Sequence, residues 1–167
     1  MGAELPSVGG GQDAGSPDGG PIGGSPRVLI VDADRRVQQS VADALELSGR
    51  VLVVGATADP REALELIAES GPEVVVMDPR LPELPAALPL LGAIRGAWPR
   101  LRVILIGWAD ALENAELARN ADAVVDKNAS PDDFVSAVLD ACCSAPTSSG
   151  SALKLHRGPN AAEVSRD

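Results

Sequence analysis

Val74-Val75-Val76-Met77-Asp78-Pro79-Arg80-Leu81-Pro82 is the stretch on which the reading of the chain turns. Four apolar residues in a row read as a strand buried on both faces, as at the centre of a parallel sheet. The run stops on a carboxylate, and Pro79 and Pro82 follow. An unpaired charge is costly inside a buried strand, so Asp78 belongs just past its C-terminal end. In open α/β sheets that edge is where ligands bind.

Toward the N-terminus, Val28-Leu29-Ile30-Val31 is a second apolar run, ending at Asp32-Ala33-Asp34. Val37, Val41, Ala44, Leu45 and Ser48 follow at helical spacing, and Gly49 stops that helix. Val51 to Val54 is a third run. Asp59-Pro60-Arg61-Glu62 is a helix start, with Asp as cap, Pro at the first helical position and Glu at the capping-box position. Ala63, Leu64, Ile67 and Ala68 give its buried stripe, and Ser70-Gly71-Pro72 ends it.

Toward the C-terminus, a helix is predicted from about Pro85 to Ala97, with Leu88, Leu91 and Ile94 inward. Pro89 inside that window predicts a late start or a kink. Val103-Ile104-Leu105-Ile106 is a further strand, followed by Gly107-Trp108. Trp108 either packs into the space left by Gly107 or stands exposed for a partner, and packing is the preferred expectation. Leu112, Ala115 and Leu117 suggest a short helix. Ala123-Val124-Val125 ends at Asp126-Lys127. Ser130-Pro131-Asp132-Asp133 opens the last helix, whose stripe is Phe134, Val135, Val138, Leu139 and Cys142. Five strands alternating with helices predict an α/β fold, a parallel sheet covered on both faces with right-handed crossovers.

The chain has 167 residues, 45% of them hydrophobic but only 2% aromatic, so the core is aliphatic. A net charge of −10 argues against a nucleic-acid surface. No apolar run reaches the ~20 residues of a membrane span, and residues 1–26 show no secretory signal. Those residues, rich in Gly, Pro and Ser, read as a disordered leader. Residues 27–143 read as the folded domain and 144–167 as a flexible tail too short for a second domain. Adjacent Cys142 and Cys143 give no disulfide framework and read as ordinary residues of the last helical turn. A soluble cytoplasmic protein is the expectation.

Every strand of a parallel sheet points the same way, so the residues after each strand share one edge. Asp32 and Asp34 follow the first strand, Asp78 the third, Asp126 and Lys127 the fifth. Converging carboxylates repel unless a cation neutralises them. A hard divalent ion such as Mg²⁺ suits oxygen ligands, and a lysine suits a phosphate. The set points to phosphoryl chemistry. Asp34 reads more readily as a helix cap than as a ligand, and Asp126 as solvent-facing.

On Val-Leu-Ile-Val-Asp at 28–32, Val-Val-Met-Asp-Pro-Arg-Leu-Pro at 75–82 and Ala-Asp-Ala-Val-Val-Asp-Lys-Asn-Ala-Ser-Pro-Asp-Asp at 121–133, the chain resembles a response-regulator receiver domain of two-component signalling. The resemblance implies a flavodoxin-like, CheY-like (βα)5 doubly wound sheet of five parallel strands in the order 2-1-3-4-5. It implies Asp78 as phosphoacceptor, Lys127 as the lysine pairing with the phosphate, and Asp32, Asp78 and the backbone carbonyl of Arg80 around Mg²⁺. Asp34 is the residue to ask whether it makes good the acid missing at Ala33. A sensor histidine kinase is the implied donor. The last helices are the implied surface for a homodimer or an output protein.

The resemblance also exposes departures. Ala33 stands where the family carries a second acid, Gly107 where it carries Thr or Ser, and Val124 where it often carries an aromatic switch residue. A glycine-containing turn is replaced by Glu83-Leu84-Pro85. The expected protein is therefore an atypical single-domain receiver. One alternative is a pseudo-receiver that works as a binding module without phosphorylation. Another is a phosphatase of the haloacid-dehalogenase type, with Asp32 as nucleophile and Asp34 as general acid.

Overall fold

The computed structural model describes residues 24–81, 87–108, 114–143 and 155–156. The elements run β1 (Arg27–Val31), α1 (Arg35–Leu47), β2 (Leu52–Thr57), α2 (Pro60–Ser70), β3 (Val74–Met77), α3 (Ala87–Ala97), β4 (Arg102–Gly107), α4 (Ala115–Asn120), β5 (Ala123–Asp126), α5 (Pro131–Cys143) and β6 (Leu155–His156). The sheet order is β2-β1-β3-β4-β5-β6, with every pairing parallel. The five-strand order implied by the resemblance is present. Leu155 and His156, from the segment read as a tail, add a short sixth strand in register with Val124 and Val125.

Strand alternation divides the core in two. Val28, Ile30, Val74, Val76, Ile104 and Ile106 pack under α1 and α5, which contribute Val41, Leu45, Phe134 and Val138. Leu29, Val31, Val75, Met77 and Leu105 pack under α2, α3 and α4, which contribute Ile67, Leu91, Ile94 and Leu117. All four residues of β3 are fully buried, as its unbroken apolar run requires.

Local signals set the helix ends. Asp34 caps α1 by accepting from the Arg36 N–H at 2.8 Å. Gly49, at φ 64°, takes the left-handed conformation that lets the chain leave α1. Asp59 caps α2 from the Arg61 N–H at 2.7 Å. Glu62 does not close a direct capping box. The Thr57 hydroxyl stands between them, donating to Glu62 Oε2 and accepting from the Asp59 N–H. Helix α3 is described from Ala87, with Pro89 in the first described turn. Pro85 and Leu112 lie outside the described residues.

Two expectations shift. The second strand is β2 at Leu52–Thr57 rather than Val51 to Val54. It is the sheet's edge, and a bulge there pairs Val28 with Val53 but Leu29 with Gly55. At Gly55 a Cβ would sit 3.3 Å from Leu29 Cδ1, so the bulge brings two strands close where the side chain is absent. Trp108 does not fill the space beside Gly107 and is 46% exposed. Successive residues of an extended strand face opposite ways, so residue 108 follows Ile104 and Ile106 to the α1/α5 side while Gly107 faces the other.

At the N-terminal ends of β4 and β5 lies a polar cluster that no sequence pattern announced. Asp122 pairs with Arg95 at 2.6 Å and with Arg102 at 3.0 Å, and its Oδ2 accepts from the Val103 N–H at 2.8 Å. Arg95 also donates to the carbonyls of Asn120 and Leu101. The cluster ties α3 to both strands.

Candidate functional site

The same alternation that sorts the core builds the site. Continued one step past each strand, the parity of Val28 and Ile30 reaches Asp32, that of Val74 and Val76 reaches Asp78, and that of Ala123 and Val125 reaches Lys127. All three therefore turn to the α1/α5 side of the sheet edge. Asp126 has the opposite parity. It stays out of the cluster, and its Oδ1 accepts from the Asn128 N–H at 2.7 Å. Backbone bonds carry the ladder into the site: Asp32 N–H to the Thr57 carbonyl, Asp78 N–H to Val31, and Lys127 N–H to Gly107.

Lys127 Nζ is 2.9 Å from Asp32 Oδ2 and also bonds Asp78 Oδ2. The remaining oxygens have backbone donors: Asp34 N–H to Asp32 Oδ1 at 2.8 Å, and Arg80 N–H to Asp78 Oδ1 at 2.6 Å. Asp32 is 3% exposed and Asp78 5%. Burial alone would push the Lys127 ammonium down. Hydrogen bonds to Asp78 and Asp32, with the charge of both, outweigh that and hold it above the ordinary lysine value. Gln38 fixes the base of the site by donating to the Asp32 carbonyl at 2.6 Å.

The triad thus holds two negative charges against one positive. For a divalent cation it offers two carboxylates, beside the Arg80 backbone. Such a donor set fits Mg²⁺, which keeps most of its water and needs few protein oxygens. It does not make a closed cage: among the described residues no group of three or more His, Cys, Asp or Glu is placed to hold a metal. Asp34 is exposed, and its carboxylate is engaged at the head of α1. Ala33 is exposed too. Val124 is fully buried in the α2/α3/α4 core.

Cys142 lies in the last turn of α5, against the α1/α5 core. Burial first, then the charge of Glu73 and Cys143, push its thiol up to about 12, with Arg102 opposing. Cys143 is exposed. Iodoacetamide at pH 8 is expected to add one label to the native protein, at Cys143, and a second only on unfolding. Peptide mass mapping reads this directly; two labels on the folded chain would contradict the burial of Cys142.

A parallel sheet in this order, with two carboxylates and a lysine meeting past β1, β3 and β5, is the architecture of a phosphoryl-signalling receiver. The response regulator receiver domain family matches residues 28–139, and the chain belongs to it. It is 35% identical over 116 residues to the probable transcriptional regulatory protein NarL of Mycobacterium tuberculosis, covering 68% of this chain and 53% of that protein. It is 43% identical over 58 residues to the response regulator MprA of Mycolicibacterium vanbaalenii, covering 35% of this chain and 24% of the relative. Among solved structures, the signal receiver domain of the putative response regulator NarL from M. tuberculosis superposes with a TM-score of 0.62 at 31% identity, over 71% of this chain and 96% of that one. The chain spans about half the length of the NarL relative. No described helix is long and apolar enough to cross a membrane.

Proposed function

We propose that Asp78 is a phosphoacceptor and that this receiver takes its phosphoryl group from the phosphohistidine of a sensor histidine kinase in the cytoplasm. The observation that supports the reading is the buried Asp32–Lys127–Asp78 triad at the C-terminal sheet edge. In the transfer, a carboxylate oxygen of Asp78 bonds to phosphorus while the phosphorus–nitrogen bond breaks and its electron pair stays on the imidazole. Arg80 N–H holds Asp78 Oδ1 in place. Lys127 then releases one Asp78 oxygen and pairs with the phosphoryl oxygens, a short shift that keeps its charge compensated. Mg²⁺, when bound by Asp32, Asp78 and the Arg80 carbonyl, neutralises charge on those oxygens. Asp34 serves as a cap rather than a further ligand.

The readout differs from the family's. Gly107 offers no hydroxyl to the phosphoryl group, and buried Val124 has no long side chain to swing. Lys127, bonded to both Asp32 and Asp78, is a side chain that links the phosphorylation state to the rest of the fold. Output is through protein contacts: the net charge of −10 disfavours a nucleic-acid surface, and no described helix is long and apolar enough to cross a membrane.

Acetyl phosphate with Mg²⁺ is expected to add a single phosphoryl group, read by intact mass, and Asp78→Asn to abolish it. Lys127→Ala is expected to reduce it strongly. A wild-type chain that takes no phosphoryl group from acetyl phosphate or from any histidine kinase tried would leave the binding-module reading in its place. Labelling that survives Asp78→Asn would move the acceptor elsewhere.

A further inference from the structure

We infer that Trp108 is the cover of the phosphoryl site, its indole standing across the line along which water and small phosphodonors approach Asp78. The inference rests on Asp78 being the phosphoacceptor and adds what sets the lifetime of the phosphorylated state.

Register places the side chain. Met77 pairs with Leu105, and Gly107 with Asp126. One step further on, Asp78 stands beside Ile106 and Trp108 beside Lys127. The Lys127 N–H donates to the Gly107 carbonyl at 2.9 Å, which carries the pairing past the end of β5. Trp108 therefore rises two residues beyond the level of Asp78, about 7 Å along the strand direction. It has the parity of Ile104 and Ile106, and so shares the side of the sheet to which Asp32, Asp78 and Lys127 turn. Its strand, β4, lies between that of the acceptor and that of the lysine. Neighbouring strands are about 4.8 Å apart, within reach of an indole on either side.

Burial agrees with this placement. Trp108 and Lys127 line one cleft of about 300 Å³, with Val37, Val41, Ile106 and Phe134 among its apolar walls. The Lys127 side chain is only 10% exposed although it stands at the rim of the sheet. Trp108 keeps about half of its surface in water and covers the cleft with the rest. Gly107 contributes no cover, having neither a side chain nor the right parity.

The chemistry gives the cover its effect. A phosphoryl group on Asp78 is lost when a water oxygen bonds to phosphorus on the side opposite the Asp78 oxygen. The phosphorus–oxygen bond to Asp78 breaks, its electron pair returns to the carboxylate, and both protons of the water leave on inorganic phosphate. A small donor loads the site along the same line, with its leaving group in the place that water later takes. An apolar ring across that line excludes water and offers no base to activate it. One obstacle thus slows loading and hydrolysis together, and the phosphorylated state, once formed, persists.

The test follows both rates by intact mass on the full chain, loaded with acetyl phosphate and Mg²⁺ and then freed of donor. Wild type is compared with Trp108→Phe, Trp108→Leu and Trp108→Ala. Both rates are expected to rise as the side chain shrinks, with hydrolysis in Trp108→Ala about tenfold faster than in wild type. A merely structural role predicts the reverse, since a loosened site would load more slowly. Trp108 lies past the end of β4 and is half exposed, so the variants are expected to fold, and thermal unfolding checks each one. Equal rates across the series overturn the inference and leave Asp78 as the acceptor. Slower rates in the smaller variants overturn it too, making the indole a positioning group. No adduct on any member of the series overturns the acceptor reading, and this inference with it.

Discussion

Replacing Lys127 by methionine is expected to lower the unfolding free energy by about 3–5 kcal/mol, the cost of removing one partner from a buried charge cluster. The side chain is nearly isosteric, so little packing is lost. What is lost is the cation between Asp32 and Asp78, which are almost wholly buried. Each keeps one backbone donor, from Asp34 and Arg80, and neither keeps a charge partner among the described residues. Urea unfolding at constant m-value reads the loss. Mg²⁺ is expected to restore part of it by binding the folded state alone. A loss below about 1 kcal/mol would mean that the triad behaves as a solvated surface pair. The alkaline limb carries a second signature. The folded chain holds Lys127 above its ordinary value of 10.5. The contribution is therefore full below 10.5 and is lost as pH rises through the folded value. Wild type is expected to lose stability in that window, and the methionine variant to lack this component.

Asp122→Ala is expected to cost about 3 kcal/mol, at the opposite edge of the sheet. The carboxylate accepts from two guanidinium groups and from the Val103 N–H. Without it, Arg102, with a side chain only 11% exposed, loses this counter-charge. Asp122→Asn keeps an acceptor for Val103 and is expected to lose less. Thermal unfolding reads both variants. Phosphoryl labelling of Asp78 at a temperature where the variant is folded is expected to match wild type, because the cluster acts on the frame and not on the triad. Equal stability of Asp122→Ala and wild type would refute the structural role.

The triad was legible because it stands on three coincidences that sequence displays openly. Each is an apolar run of strand length, and each is followed at once by a charge. Shared parity then brings Asp32, Asp78 and Lys127 together. The helix starts at Asp34, Asp59 and Ser130 were legible for a similar reason, since a cap and its helix are neighbours in the chain. The Asp122 cluster was not. Its partners lie 27 and 20 residues away, on a helix and a strand whose approach only the folded sheet defines. Edge strand β2 was misplaced because half of it, Gly55-Ala56-Thr57, is not strongly apolar; an edge strand is held by its one neighbour and not by burial. Strand β6 is two residues amid Ser, Gly and Pro, too short for any period. Trp108 was misjudged by reasoning from volume where alternation decides.

That alternation also governs how such a domain can change over generations. Losing one codon between Val74 and Asp78 would turn the carboxylate to the far side of the sheet and strand Lys127 on the near side. Losing two would shorten the strand yet leave the carboxylate facing the lysine. Insertions and deletions at these strand tips are thus expected to persist in lineages only in even numbers. A family record broken by an odd step is where to look for copies that have given up the chemistry and kept the scaffold.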